Sequence, residues 1–207
     1  MTDLHKQKQR GEYAKTGAKR VAILDAALEV FAQVGYGAGS LREVAARVGM
    51  SEAGLLHHFP TKPALLAAVL DRRDQHSQEW VRMAEGDGDV TLRGLITTAV
   101  RNASTPGIVE LYCVLSAEAT QPGHPARDYF IARYEEARTN LCMAFEDLAR
   151  QNRTRPGVVP RSAAIATLAM MDGLQVQWLL HPEVVDMAAE LADFLTAFVD
   201  IDLTISS

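Results

Sequence analysis

Histidine, cysteine and lysine are the residues whose spacing could carry chemistry in this chain, and only the lysines are placed to do so. His57 and His58 are adjacent, which on a helix sets them about 100° apart, a poor geometry for chelating one metal. The chain has no Glu-x-x-His pair for a carboxylate-bridged di-iron site, no His-Glu-x-x-His and no phosphate-cradling glycine loop. Cys113 and Cys142 form no Cys-x-x-Cys pair and are too few for a disulfide framework. They read as buried thiols, the commoner state, with a redox pair as the alternative. No enzyme, metal or cofactor is therefore expected. All five lysines (Lys6, Lys8, Lys15, Lys19 and Lys62) lie within residues 1–63, where nine basic side chains outnumber six acidic ones. The remainder holds twelve basic and twenty acidic side chains, for a total charge of −5. A cationic front on an acidic body suits an anionic partner, and nucleic acid is the usual one; a solvated basic tail is the plain alternative.

The elements that must position those cations are helices. The 207 residues are 48% hydrophobic and 23% charged, an ordinary globular composition with room for one large domain or two small ones. The longest apolar run, Ala163 to Met171, is interrupted by Thr167 and falls far short of the ~20 residues that span a bilayer. The first residues lack a signal-peptide core, so a cytoplasmic protein without a membrane partner is expected, nucleoid-associated if the anionic partner is DNA. Residues 1–17 read as a flexible basic arm. Val21, Leu24, Ala27, Leu28 and Phe31 then form a helical stripe that Gly35 is placed to end. Ser40 followed by Glu43 has capping-box spacing and opens a short helix with Leu41, Val44, Ala45 and Val48 inward. Gly49-Met50 breaks it, Ser51 can cap the next helix, and Pro60 stops that one. Thr61 can cap a fourth helix, carrying Leu65, Leu66, Val69 and Leu70 towards Met83. Gly86-Asp87-Gly88-Asp89 reads as a loop. Later helices are expected from Thr91, Thr105-Pro106, near Pro125, near Pro160 and at Pro182. No segment alternates with period two, so the fold class is all-α with roughly nine helices.

Ser40 to Phe59 meets the physical criteria of a helix-turn-helix. Ala45 is small where two helices cross, Gly49 suits a turn of positive φ, and Met50 and Leu55 pin the second helix. Residues 18–70 resemble the DNA-binding domain of TetR-family transcriptional regulators. The diagnostic stretch is Gly49-Met50-Ser51-Glu52-Ala53-Gly54-Leu55-Leu56-His57-His58-Phe59-Pro60-Thr61-Lys62, and Leu41-Arg42-Glu43-Val44-Ala45 fits as well. Weaker matches continue in Glu118-Ala119, His124-Pro125, Asp172-Gly173-Leu174 and Trp178. Leu56 departs from the pattern, standing where the family usually has a phosphate-contacting tyrosine.

The resemblance implies a helix-turn-helix domain over 18–63 and a helical ligand-sensing and dimerisation domain over 64–207. It implies that Ser40, His58 and Lys62 touch phosphate, and that Arg42, Glu52, Ala53, Gly54 and His57 face base edges. Arg42 can bond guanine bidentately and Glu52 can accept from cytosine, whereas Ala53 and Gly54 offer shape and contact with a thymine methyl. The arm cations Lys6, Lys8, Arg10, Lys15, Lys19 and Arg20 would follow phosphates or a minor groove.

The segment Pro160 to Leu180 is apolar around most of its circumference, as is a broad face of the last helix, so a partner subunit is expected to cover part of them. Val176, Leu179, Val184, Met187, Leu191, Phe194, Leu195 and Phe198 are the expected homodimer interface. Tyr112, Met143, Phe145, Met171 and Trp178, with Glu118, Asn140 and Gln175 as polar partners, are the expected pocket for an unidentified small-molecule effector. The implied function is a repressor that binds a near-palindromic operator and releases it on binding that effector. A redox-responsive or ligand-independent regulator of the same fold is the alternative. Binding should weaken steeply between low and physiological salt. Arg42→Ala should relax preference at one base position while Lys62→Ala weakens all sequences alike, checked by titrating matched and scrambled duplexes; equal losses for both variants on both duplexes would contradict the assignment.

Overall fold

A computed structural model describes the backbone of residues 2–81 and 87–203 and the side chains of 17–72 and 87–203. Met83 and the side chains of Lys6, Lys8, Arg10 and Lys15 lie outside the described residues. The described chain folds into nine helices: α1 (Thr2–Ala38), α2 (Leu41–Arg47), α3 (Glu52–His58), α4 (Lys62–Val81), α5 (Gly88–Ala103), α6 (Pro106–Glu118), α7 (Arg127–Arg150), α8 (Pro160–Leu180) and α9 (Met187–Thr196). Strand-like pairing among the described residues is confined to an isolated antiparallel bridge between Thr154 and Val199.

The chain forms two compact units, Met1–Arg72 and Arg73–Ser207. The first runs past residue 63 because Leu65, Leu66, Val69 and Leu70 of α4 are buried in its core with Ile23, Ala27, Val30, Phe31, Val44, Ala45, Leu55 and Phe59. Arg72 closes it, pairing with Asp25 at 2.9 Å and donating to the Val21 carbonyl at 3.0 Å. Val21, expected inward, is instead exposed, because the helix turns its Ile23–Ala27–Val30 side to the core. The helix assignment reaches back to Thr2, through the stretch read as an arm. Gly35 does not stop α1 in a left-handed cap. Its φ of 75° and ψ of 171° make a kink, and helix resumes to Ala38.

The second unit packs α5, α7, α8 and α9 around Leu92, Ile96, Leu141, Phe145, Leu148, Ala163, Ala164, Leu174, Trp178, Leu191 and Leu195. Its helices start where capping groups allow. Asp186 accepts from the amides of Ala188 and Ala189, both at 3.0 Å, so α9 begins at Met187 rather than at Pro182. Asp87 caps α5 through the Asp89 amide, which draws Gly88 and Asp89 out of the expected loop and into helix.

The start of α5 is held tightly against α7. A Cβ on Gly88 would lie 2.4 Å from the Ala144 carbonyl oxygen and 2.8 Å from Leu148 Cγ. The Gly88 amide also donates to Asp147 Oδ2 at 3.0 Å. That bond, with those from Arg150 and Gln151, outweighs burial and holds the Asp147 carboxyl below the usual carboxylate range. Burial disfavours ionisation of Asp89 most, but Arg153 and Arg93, at 2.8 and 2.7 Å, together keep it low as well.

Two helices, Gly17–Ala38 and Pro160–Leu180, have the length and composition of membrane spans, with mean hydropathy 1.3 and 1.2, although neither contains the long unbroken apolar run sought in the sequence. Both place apolar side chains in a protein core, Ile23, Ala27 and Phe31 on one and Ala163, Ala164 and Leu174 on the other.

Gly88→Ala should destabilise the protein by about 1–3 kcal/mol through overpacking against backbone. Gly94→Ala in the same helix, where an added Cβ meets nothing within 4 Å, should be neutral or stabilising by up to about 1 kcal/mol. Urea unfolding of the two variants checks the contrast.

Candidate nucleic-acid interface

Two seven-residue helices, α2 and α3, and the turn between them form the candidate interface. Ser40 caps α2, its Oγ accepting from the Glu43 amide at 3.1 Å. The reciprocal half of the expected capping box is not made: Glu43 pairs with Arg47 at 3.2 Å instead. Arg47 also reaches Glu29 at 3.0 Å and Gln33 at 2.7 Å, tying α2 to α1.

The turn is a Schellman closure. The Gly49 amide donates to Ala46 O at 3.1 Å and the Met50 amide to Ala45 O at 3.0 Å, which satisfies two carbonyls that the helix end leaves open. It requires φ of +64° at Gly49, a conformation that a Cβ penalises. Ser51 then caps α3 through the Gly54 amide at 3.1 Å, and Leu55 is the buried residue that seats α3 on the core.

This scaffold leaves Glu52, Ala53, Leu56 and His57 exposed on α3 and Arg42 exposed on α2, with Gly54 and His58 half-buried. The cations are used unequally. Lys19 donates to the Val48 carbonyl at 2.9 Å and Arg20 to the His58 carbonyl at 3.2 Å. Lys62 donates to the Gly37 carbonyl at 3.2 Å, with its ammonium 4.4 Å from the Tyr36 ring centroid. Arg47 and Arg72 are in the ion pairs described above. Among the described residues of this unit, Arg42 is the one Lys or Arg that makes no hydrogen bond or ion pair with the fold. The roles of Lys19 and Arg20 were not legible in the sequence, where both counted with the arm. Their partners are main-chain carbonyls 29 and 38 residues away, and no side-chain pattern marks those.

Of the residues expected to line an effector pocket, two come together at one gap. Met171 and Gln175, with Ala99, Asn102, Leu174, Met187 and Leu191, line a gap of only ≈ 10 Å³, room for about one water. Tyr112 and Trp178 are buried in the helical unit, Trp178 in the same apolar cluster as Leu174 and Leu191, and Phe145 is fully enclosed core. Asn140 is half-buried on α7. Glu118 faces His124, 3.6 Å away. Met143 is 58% exposed, because the core side of α7 is taken by Leu141, Ala144, Phe145 and Leu148. The sequence reading missed a polar cluster around Tyr134. Its hydroxyl donates to Asp172 Oδ2 at 2.7 Å, and burial, with bonds to Tyr112 and Asp172, pushes its pKa far above the usual range.

The expected interface residues divide. Met187, Leu191 and Leu195 recur every fourth residue on α9 and are buried inside their own subunit, so they are not available to a partner. Phe194, Phe198 and Leu179 are half-buried. Val176 and Val184 are exposed, the latter by 74%, and so are Ile165 and Leu180.

A capped, glycine-turned helix pair on one unit, joined to a second helical unit, is a helix-turn-helix architecture. Residues 23–69 match the bacterial regulatory proteins of the tetR family, and residues 90–201 match the BetI-type transcriptional repressor C-terminal family. The chain belongs to the TetR family of transcriptional regulators, and it is a regulator rather than an enzyme. It is 24% identical over 198 residues to the HTH-type transcriptional regulator TtgR of Pseudomonas putida, covering 88% of this chain and 90% of that one. It is 47% identical over 53 residues to RutR of Escherichia coli, covering 26% of this chain and 25% of that one. In structure it is similar to SmeT, the repressor of the Stenotrophomonas maltophilia efflux pump SmeDEF, with a TM-score of 0.71 at 19% identity over 90% of this chain and 93% of that one. A putative regulator from Saccharomonospora viridis in complex with choline matches at 0.74 and 22% identity, over 89% and 100% of the two chains. SmeT is also known in complex with triclosan. The chain is accordingly a DNA-binding transcriptional regulator.

Gly49→Ala should cost about 1–2 kcal/mol, the penalty for a side chain in the left-handed region. It should lower DNA affinity more than a core substitution of equal destabilisation, such as Leu148→Val, because it also moves α3. Thermal melts paired with duplex titrations at one temperature check this.

Proposed function

We propose that this chain is a cytoplasmic homodimeric repressor that binds a near-palindromic operator and releases it when a small organic molecule enters the second unit. The observation that carries the DNA-reading half is the isolation of Arg42. The other described cations of the unit serve the fold, whereas Arg42 is free to present a guanidinium to guanine O6 and N7. Glu52, Ala53, Gly54 and His57 complete the base-facing surface, and Ser40 and His58 contact phosphate. An ammonium has three donors, so Lys62 can hold the Gly37 carbonyl and still reach a phosphate.

The dimer reading rests on the outward apolar positions of α8 and its flank: Ile165, Val176, Leu180 and Val184. A second copy would cover them about a two-fold axis, and two recognition helices would then read half-sites about one DNA turn apart. The effector reading draws support from the triclosan and choline complexes of structural relatives. The gap lined by α5, α8 and α9 is only ≈ 10 Å³, so an organic effector would enter there only as those helices part. A hundredfold loss of operator affinity needs about 2.7 kcal/mol of differential binding. A redox trigger is disfavoured at Cys142, whose thiol pKa is raised by burial and by the Glu146 carboxylate it faces, the opposite of a reactive thiolate.

In vitro selection of bound DNA should return an inverted repeat, and Arg42→Ala should lose preference at one symmetric pair of positions. Val176→Asp should sediment as a single subunit and bind the selected operator at least tenfold more weakly. Selection of an asymmetric site, or a Val176→Asp protein that stays dimeric, would refute the two-fold arrangement.

A further inference from the structure

Consecutive cations on α1 grip the carboxyl ends of both helices of the helix-turn-helix. Lys19 Nζ donates to the carbonyl of Val48, the C-cap of α2, at 2.9 Å. Arg20 Nη1 donates to the carbonyl of His58, the last residue of α3, at 3.2 Å. The Arg20 guanidinium also lies 4.2 Å from the ring centroid of Phe59, the C-cap of α3 and only 2% exposed. Carbonyls at a helix C-terminus lack intrahelical donors and carry the negative end of the helix dipole, so a cation there answers both.

External holds matter here because α2 and α3 have seven residues each, far below the length at which a helix is stable alone. Leu55 anchors the middle of α3 from below, and a single buried residue leaves the helix able to rock about it. Lys19 fixes the chain just before the Gly49 turn, and Arg20 fixes it just after α3. Both holds come from one turn of α1, so the segment that carries the base-facing residues is held at both ends against one rigid element.

We propose that Lys19 and Arg20 are positioning residues for sequence recognition, setting the orientation of α3 rather than neutralising phosphate as members of a basic arm. This rests on the reading of α3 as the recognition helix. The test uses the full chain with its selected operator and a scrambled duplex, titrated between roughly 50 and 200 mM salt, at a temperature where each variant keeps wild-type helix content. The variants are Arg20→Lys, Arg20→Ala and Lys19→Ala. Arg20→Ala and Lys19→Ala should each lower the operator-over-scrambled preference about tenfold, the worth of one charge-assisted hydrogen bond, and Arg20→Lys about threefold, the worth of the contact with Phe59. Affinity for scrambled DNA and the salt slope should stay at wild-type values. Arg20→Lys is decisive, because it keeps the charge while losing the flat contact with Phe59.

A wild-type-like Arg20→Lys, with Arg20→Ala weakened on both duplexes and its salt slope reduced by about 0.9, would make Arg20 a phosphate contact and overturn the proposal. Lowered melting temperatures with unchanged operator preference in all three variants would overturn it too, leaving the grips a part of stability only. A wild-type chain that prefers no duplex fails at the earlier reading and takes this one with it.

Discussion

The two hydrogen bonds that close the α2 C-terminus around Gly49 constrain everything the DNA-binding unit can do. They send the chain back across α2 within three residues, so that Ser51 is in place to cap α3 and Leu55 meets the core. Once Leu55 is seated, helix periodicity turns Ala53 and His57 outward together. The exposed face of α3 is thus a by-product of one backbone conformation that glycine alone adopts cheaply. A helix this short holds no direction of its own, and the direction comes from what grips its ends.

The second unit solves a different problem with longer helices. Packing rather than capping sets its geometry, most visibly where Gly88 lets α5 approach the α7 backbone and Asp147 accepts its amide. Arg93 and Arg153 converge on Asp89 beside it, and Arg93 also donates to the Asp202 carbonyl. The 153–155 turn is tied to the segment after α9 through Arg153 O with Asp200 N and Arg155 N with Phe198 O, both 2.8 Å. The ends of α5, α7 and α9 are therefore cross-linked by polar groups, while the middle of the unit, around Met171, Leu174 and Gln175, is packed mainly by apolar side chains beside a small gap.

Much of the fold was legible in the residue order. The starts of α2, α3, α4, α6 and α8 follow from Ser40, Ser51, Thr61, Pro106 and Pro160, because caps and first-turn prolines act within one turn of chain. The misplacements share a cause. Gly88 and Asp89 look like loop until α7 supplies their partner, Pro182 looks like a helix start until Asp186 takes the cap, and Val21 looks inward until α2, α3 and α4 choose the other side of α1. Which side of an apolar helix faces inward, as with Met143 outside or Leu191 and Leu195 inside, depends on neighbours distant in the chain.

What belongs to the linear order in this protein is local: helix ends, the turn at Gly49, the cationic front and the motif that marks a TetR-family regulator. Hydrogen bonds and dihedral preferences spanning a few residues decide those, and they act before any tertiary contact exists. What belongs to the folded chain is the allocation of its charges and faces. Lys19, Arg20 and Lys62 became ties and Arg42 stayed free because main-chain carbonyls have no side-chain signature, and their positions exist only once the helices have crossed.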